Sequence, residues 1–135
     1  MTTSVREATD IRVHSSVPTF LVADIASTVR WYVKELGFTL AGQFPAREPY
    51  VFASLQRDNA ELMLLNLADY EKPDLSGRRL AGLWDVYFRM SGVAAFYETI
   101  KDKPFMQMHL TSRPYGDIEF AVRDPNGYLL VFGGD

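Results

Sequence analysis

Apolar and polar positions along this chain follow two different periods, and the switches between them mark the elements. Residues 17–23 (VPTFLVA) form a short, partly β-branched apolar run, the pattern of a buried strand. Asp24 follows where a carboxylate can accept from an otherwise unpaired helix N–H and complement the positive helix end. Ile25, Val29, Tyr32, Val33 and Leu36 then recur at helical spacing, and Gly37 stands ready to end the helix in the left-handed conformation. Three strand-length runs come next, residues 38–44, 50–56 and 61–66, with Asp58-Asn59 as the turn between the last two.

Residues 67–82 gather Pro, Gly, Asp and the basic pair Arg78-Arg79, and read as a connecting loop with a solvated pair of arginines. The pattern then returns. Residues 83–90 make a strand, Ser91 is placed to cap a helix, and Val93, Phe96, Tyr97 and Ile100 form its apolar stripe. Lys101 and Lys103 suit the negative pole of that helix. Residues 105–111, 117–123 and 128–132 supply three more strands, the last two joined by Asp124-Pro125-Asn126-Gly127, where proline presets φ and glycine tolerates positive φ. The order strand, helix, three strands thus occurs twice, an internal duplication of about 55 to 65 residues. The division that follows is an arm over residues 1–15 and one domain over 16–135, with modules near 16–66 and 83–134 and a linker at 67–82.

A chain of 135 residues has room for one domain with a proper core. A net charge of −3 argues against nucleic acid, whose binding draws on a clustered basic excess. The apolar runs fall short of the ~20 residues a membrane span needs, and the first ten residues resemble neither a signal nor a transit peptide, so a cytoplasmic location is expected. With no cysteine and only His14 and His109, thiolate metal sites and cysteine nucleophiles are excluded. The aromatic share of 13% is high, which means either a dense core or a pocket.

Three segments carry a resemblance. They are Phe20-Leu21-Val22-Ala23-Asp24, then Trp31-Tyr32 through Gly37-Phe38, and Arg113-Pro114-Tyr115-Gly116 followed by Glu119-Phe120 through Asp124-Pro125-Asn126-Gly127. In this order, within a duplicated pattern, they resemble the vicinal oxygen chelate superfamily of glyoxalases, extradiol dioxygenases and bleomycin-resistance proteins, and are most similar to the last branch. The resemblance implies an α+β fold of two tandem βαβββ modules whose mixed sheets curl around a cavity, and a homodimer with modules paired within or across subunits. It also implies where a divalent metal would sit in metal-dependent members, on His, Gln or Glu of the first and last strands of each module. Here those positions hold Val17, Leu65 or Met63, Asp85 and Val131, and one carboxylate cannot hold a catalytic metal.

The expectation is therefore a protein without cofactor that binds a small aromatic or cationic molecule, as the bleomycin-resistance proteins sequester a drug. The alternative is a lyase, isomerase or dioxygenase with an atypical divalent-metal site, built from His109, Glu119 and Asp85. The inward strand faces nominate Phe52, Met63, Asp85, Tyr87, Arg89, Gln107 and His109 as ligand contacts, with Tyr115 at the mouth. Phe52 and Met63 also fit plain core, Arg89 also fits a pair with Asp85, and His109 also fits a structural hydrogen bond. Glu119 is expected to make a structural hydrogen bond rather than to act in catalysis. Trp31 lies off its helix stripe, at a subunit interface or on the surface, and Trp84 is expected beneath the second helix.

Overall fold

The computed structural model describes residues 10–74 and 84–135. Strand β1 (Thr19–Val22) runs into helix α1 (Ile25–Leu36), which opens where Asp24 accepts from the Ser27 amide at 3.3 Å. Gly37 closes it at φ 73°, donating its N–H back to the Tyr32 carbonyl. Ile25, Thr28, Tyr32 and Leu36 are the buried residues of α1. Val33, expected in the stripe, is exposed; the face is rotated toward Thr28, whose hydroxyl donates to the Asp24 carbonyl at 2.7 Å and receives the Asn126 side chain at 3.0 Å.

Strands β2 (Thr39–Phe44), β3 (Phe52–Arg57) and β4 (Ala60–Asn66) complete the first module. The second consists of β5 (Val86–Met90), helix α2 (Val93–Ile100), β6 (Met106–Ser112), β7 (Ile118–Arg123) and β8 (Leu129–Gly134). The sheets have orders β1-β4-β3-β2 and β5-β8-β7-β6, the same topology twice, with one parallel pair (β1 with β4, β5 with β8) in each. The duplication expected from the pattern and the α+β architecture implied by the resemblance are both present. Among the described residues no helix is long and apolar enough to cross a membrane.

Some local expectations fail. Helix α2 is opened by Gly92 at φ 75°, with no side-chain cap from Ser91. Trp84 is 45% exposed, its ring 5.4 Å from that of Tyr87 rather than beneath α2. Trp31 is half-buried, edge-on to Phe105 and Tyr32 at 5.1 and 5.0 Å. Arg78-Arg79 and Leu83 lie outside the described residues.

One core spans both modules, and the Asp124-Pro125-Asn126-Gly127 turn is what joins them. The Asp124 carboxylate accepts from the amides of Asn126 and Tyr128 at 2.8 and 2.9 Å, which shapes the turn, and from the Tyr32 hydroxyl on α1 at 2.7 Å. Tyr128 stacks on Phe20 of β1 at 3.9 Å and donates to the Leu21 carbonyl at 2.7 Å. Burial pushes the Asp124 carboxyl above its ordinary range even though these donors favour the charged form. Burial, then the neighbouring Asp124 charge, pushes the Tyr32 hydroxyl well up. A motif that reads in sequence as a hairpin turn is in three dimensions the clamp between two half-domains.

Candidate functional site

Each sheet packs one face on its helix and turns the other away. On that other face Leu21, Leu65 and Phe44 of the first sheet are exposed, whereas Ala121, Val131 and Glu119 of the second are buried. In a sheet, residues directly opposite one another share a face, so the register defines the open surfaces row by row. In the first sheet Leu21, Leu65, Phe52 and Phe44 form one row, and Thr19, Met63, Ser54 and Gly42 form the next. The first row is apolar across all four strands, and Leu21, Leu65 and Phe44 are exposed.

The open face of the second sheet combines an apolar row with a polar one. Tyr87, Val131, Ala121 and Met108 align, and beside them Arg89, Gly133, Glu119 and Thr111. Glu119 is fully buried, yet it sits on the open face because the loop before β7 folds over it. Arg113 donates through Nε to its Oε1 at 2.9 Å, and Tyr115 donates to Oε2. The Tyr87 hydroxyl completes the set, standing between Glu119 and Asp117, with Asp117 Oδ2 at 3.4 Å. Asp117 in turn pairs with Arg89 at 3.1 Å.

Burial alone would push the Glu119 carboxyl up, but the donors Tyr115, Arg113 and Tyr87 together outweigh it and hold the group below its ordinary value. The carboxylate is ionised at neutral pH. Burial and the bond to Glu119 push the Tyr87 hydroxyl far up, and the Tyr115 hydroxyl is raised chiefly by its own bond to Glu119. Both phenols are therefore neutral hydrogen-bond donors to the carboxylate, and the geometry holds a buried charge beside two aromatic rings.

Room for the cluster comes from Gly133. A Cβ there would fall on the Tyr87 hydroxyl, 2.6 Å from its Cζ and 2.9 Å from Glu119 Cγ. Beyond Tyr87 and Arg89 the surface wraps around the β5 edge into a cleft of about 1120 Å³. Phe38, Phe88, Phe96 and Phe132 lie inside it, with Asp58, Glu61 and Asp135 also among its lining residues.

The sequence-nominated residues divide accordingly. Tyr87, Arg89 and Tyr115 meet around Glu119 and Asp117, while Phe52 and Met63 lie on the open face of the other sheet. Asp85 stands apart, accepting from the Leu129 amide at 2.8 Å and pairing with Lys72 at 3.4 Å. That engagement is why the expected Arg89–Asp85 pair does not form and Arg89 turns to Asp117. Gln107 accepts from Arg123 at 3.2 Å on an exposed stretch. His109 points toward α2, its Nδ1 2.6 Å from the Tyr97 hydroxyl. The β6 irregularities between Met106 and Thr111 break the strict alternation on which its inward placement rested. Glu119 makes the structural hydrogen bonds expected of it. Arg113, Asp117 and Gly133 were not nominated, although alternate positions 113, 115, 117 and 119 are all charged or phenolic, a period-two signal of one polar strand face.

A duplicated βαβββ fold with an open-faced sheet on each module defines the class, and the sequence agrees. Residues 15–132 match the family described as the Glyoxalase/Bleomycin resistance protein/Dioxygenase superfamily, and the chain belongs to it. Among solved structures, it is similar to TioX from Micromonospora sp. ML1 at 21% identity and a TM-score of 0.70, covering 90% of this chain and 96% of that one. A bleomycin-binding protein complexed with bleomycin matches at 22% identity and a TM-score of 0.66, covering 91% and 99%. A glyoxalase-related enzyme from Clostridium phytofermentans matches at 15% identity and a TM-score of 0.70, covering 93% and 97%. At these identities the likeness is one of fold. No curated protein matches the chain in sequence.

The divalent metal that the resemblance implies for some members does not fit the residues present. Val131 and Tyr87 face each other across β8 and β5, Met63 and Leu65 carry no donor suited to a hard cation, and Asp85 is engaged by Leu129 and Lys72. Among the described residues no three His, Asp or Glu side chains gather to hold a metal ion.

Proposed function

We propose that this chain is a small-molecule binding protein that works without a metal cofactor, sequestering an aromatic or cationic ligand on the open face of its second sheet, as a homodimer. The observation that carries the reading is the buried, ionised Glu119 framed by Tyr87, Tyr115 and Arg113 beside the apolar row Tyr87, Val131, Ala121 and Met108. The Tyr87 and Tyr115 rings supply stacking area, and the Arg89 guanidinium 5.3 Å over the Tyr87 ring marks a face that suits a cation. The bleomycin-binding protein solved with bleomycin supports the ligand class by analogy of fold.

Thermal denaturation against a panel of flat aromatic cations and neutral aromatics tests it, alongside elemental analysis of the purified protein. A ligand present at 100 times its Kd stabilises by about 2.7 kcal/mol, a shift readily seen in the melting curve. Stabilisation by panel members that is weakened by Tyr87→Ala, in protein carrying no stoichiometric divalent metal, is the expected result. One divalent ion per chain, or a panel that leaves the melting temperature unmoved, overturns the reading.

A further inference from the structure

The two carboxylates beside the Tyr87 ring are held in different ways. Glu119 is fully buried and takes donors from Arg113 and Tyr115, so its charge is matched inside the fold. The Asp117 side chain is 27% exposed, and its cation is Arg89, whose Nη1 stands 3.1 Å from Oδ2 on a side chain that is itself 73% exposed. An ion pair so open to water is weak, because solvent screens the attraction and the long side chain gives up rotamer freedom to keep the geometry. The same guanidinium lies 5.3 Å from the centroid of the Tyr87 ring. One weakly held side chain thus occupies both an aromatic face and a carboxylate.

The groups that receive Arg89 do not depend on it for their placement. Tyr87 is fixed by its hydroxyl, which packs over Gly133 between Glu119 and Asp117, and the Trp84 ring flanks it at 5.4 Å. Asp117 stands at the entry to β7, where its carbonyl accepts from the Arg113 amide at 2.8 Å. With the Arg89 head swung into solvent, a ring face and a carboxylate remain side by side, the combination that recognises a planar cation. They lie on the rim of the cleft, whose lining also includes Asp58, Glu61 and Asp135. Arg57, the other arginine of that lining, is committed to the Leu36 carbonyl and to the face of Phe96 at 4.8 Å. Carboxylates at the rim over a phenylalanine floor suit a ligand with a cationic head and a flat apolar body.

We infer that Arg89 is an intramolecular stand-in for the ligand's cation: an amidinium or guanidinium carried on an aromatic ring displaces it, stacks on Tyr87 and pairs with Asp117. The inference rests on the binding reading above and assigns the ligand's charged group and its counter-ion. Titration calorimetry of benzamidine, its neutral isostere benzamide, and benzoate into the parent, Arg89→Gln and Asp117→Asn proteins tests it. Losing a resident competitor should tighten benzamidine binding about two- to fivefold in Arg89→Gln, the range set by an exposed pair. Asp117→Asn should weaken it roughly tenfold. The preference for benzamidine over benzamide should rise in the first variant and fall in the second. Arg89→Gln changes an exposed side chain and should melt with the parent, so the result stands on that variant even where Asp117→Asn is unstable. Benzamidine binding that Arg89→Gln leaves unchanged or weakens, benzamidine binding by neither protein, or benzoate binding that requires Arg89, each overturns the stand-in. The binding reading survives these outcomes wherever other aromatic ligands still stabilise the parent in a Tyr87-dependent way, and falls with the stand-in where none does.

Discussion

Gly133→Ala is the sharpest test of how the second sheet makes room for its polar cluster. The added methyl would overlap the Tyr87 hydroxyl and lie 2.6 Å from Tyr87 Cζ and 2.9 Å from Glu119 Cγ, well inside the ~3.5 Å at which carbons rest in contact. Tyr87 can swing only by abandoning Glu119, and Glu119 is buried, so relief costs either the hydrogen bond or the packing. Overpacking of this kind typically costs about 1–3 kcal/mol. For 135 residues at about 2.1 cal/mol/K each, the unfolding entropy is about 0.28 kcal/mol/K, and the melting temperature should fall by roughly 4–11 °C. Scanning calorimetry of four proteins measures this: parent, Gly133→Ala, Tyr87→Ala and the double variant. In the Tyr87→Ala background the alanine penalty should shrink by at least about 1 kcal/mol. Gly42→Ala, which meets nothing within 4 Å, serves as the control and should stay within about 0.5 kcal/mol of the parent. An unchanged melting temperature for Gly133→Ala, or an equal penalty in both backgrounds, refutes the reasoning.

Tyr32→Phe removes the hydroxyl that reaches Asp124 at 2.7 Å and leaves a buried carboxylate one donor short, for an expected loss of about 1–3 kcal/mol in urea unfolding; a loss under about 0.3 kcal/mol would mean the clamp does not depend on this bond. Acid should expose Glu119. Its folded pKa lies below the ordinary 4.5, so its stabilisation is present above pH 4.5 and is lost as pH falls through the folded value. Asp124, raised by burial, acts with the opposite sign. The measured quantity is therefore the stability gap between the parent and Glu119→Gln, which should narrow as pH drops below 4.5. A gap that is flat or widens with acidification contradicts the assignment.

Short-range physics made much of the fold readable in one dimension. Asp24 and Gly37 bound α1 because a carboxylate and a glycine solve the unpaired-backbone problem at the two helix ends wherever the helix goes. The repeat of strand, helix and three strands follows from local apolar periods alone, as does the Asp124 to Gly127 turn. Tyr87, Arg89 and Tyr115, nominated as ligand contacts, gather around Glu119 and Asp117 because alternation holds along β5 and the motif around Tyr115 is local. The alternation failed for His109, where β6 is irregular, and for Asp85, which sits at a strand end and finds Leu129 and Lys72 instead of its own strand neighbours.

By itself, then, the sequence determined the elements, their order and the apolar residues at the family's metal positions, since each is a property of residues close together in the chain. Only the tertiary structure decided what those residues do to one another. It brought Arg113, Tyr115 and Tyr87 around Glu119, turned a hairpin motif into the clamp on Tyr32 and Phe20, and made the absence of a side chain at Gly133 the condition for the site. Such contacts join positions up to 107 residues apart, and no local period encodes which distant partner a polar side chain will find.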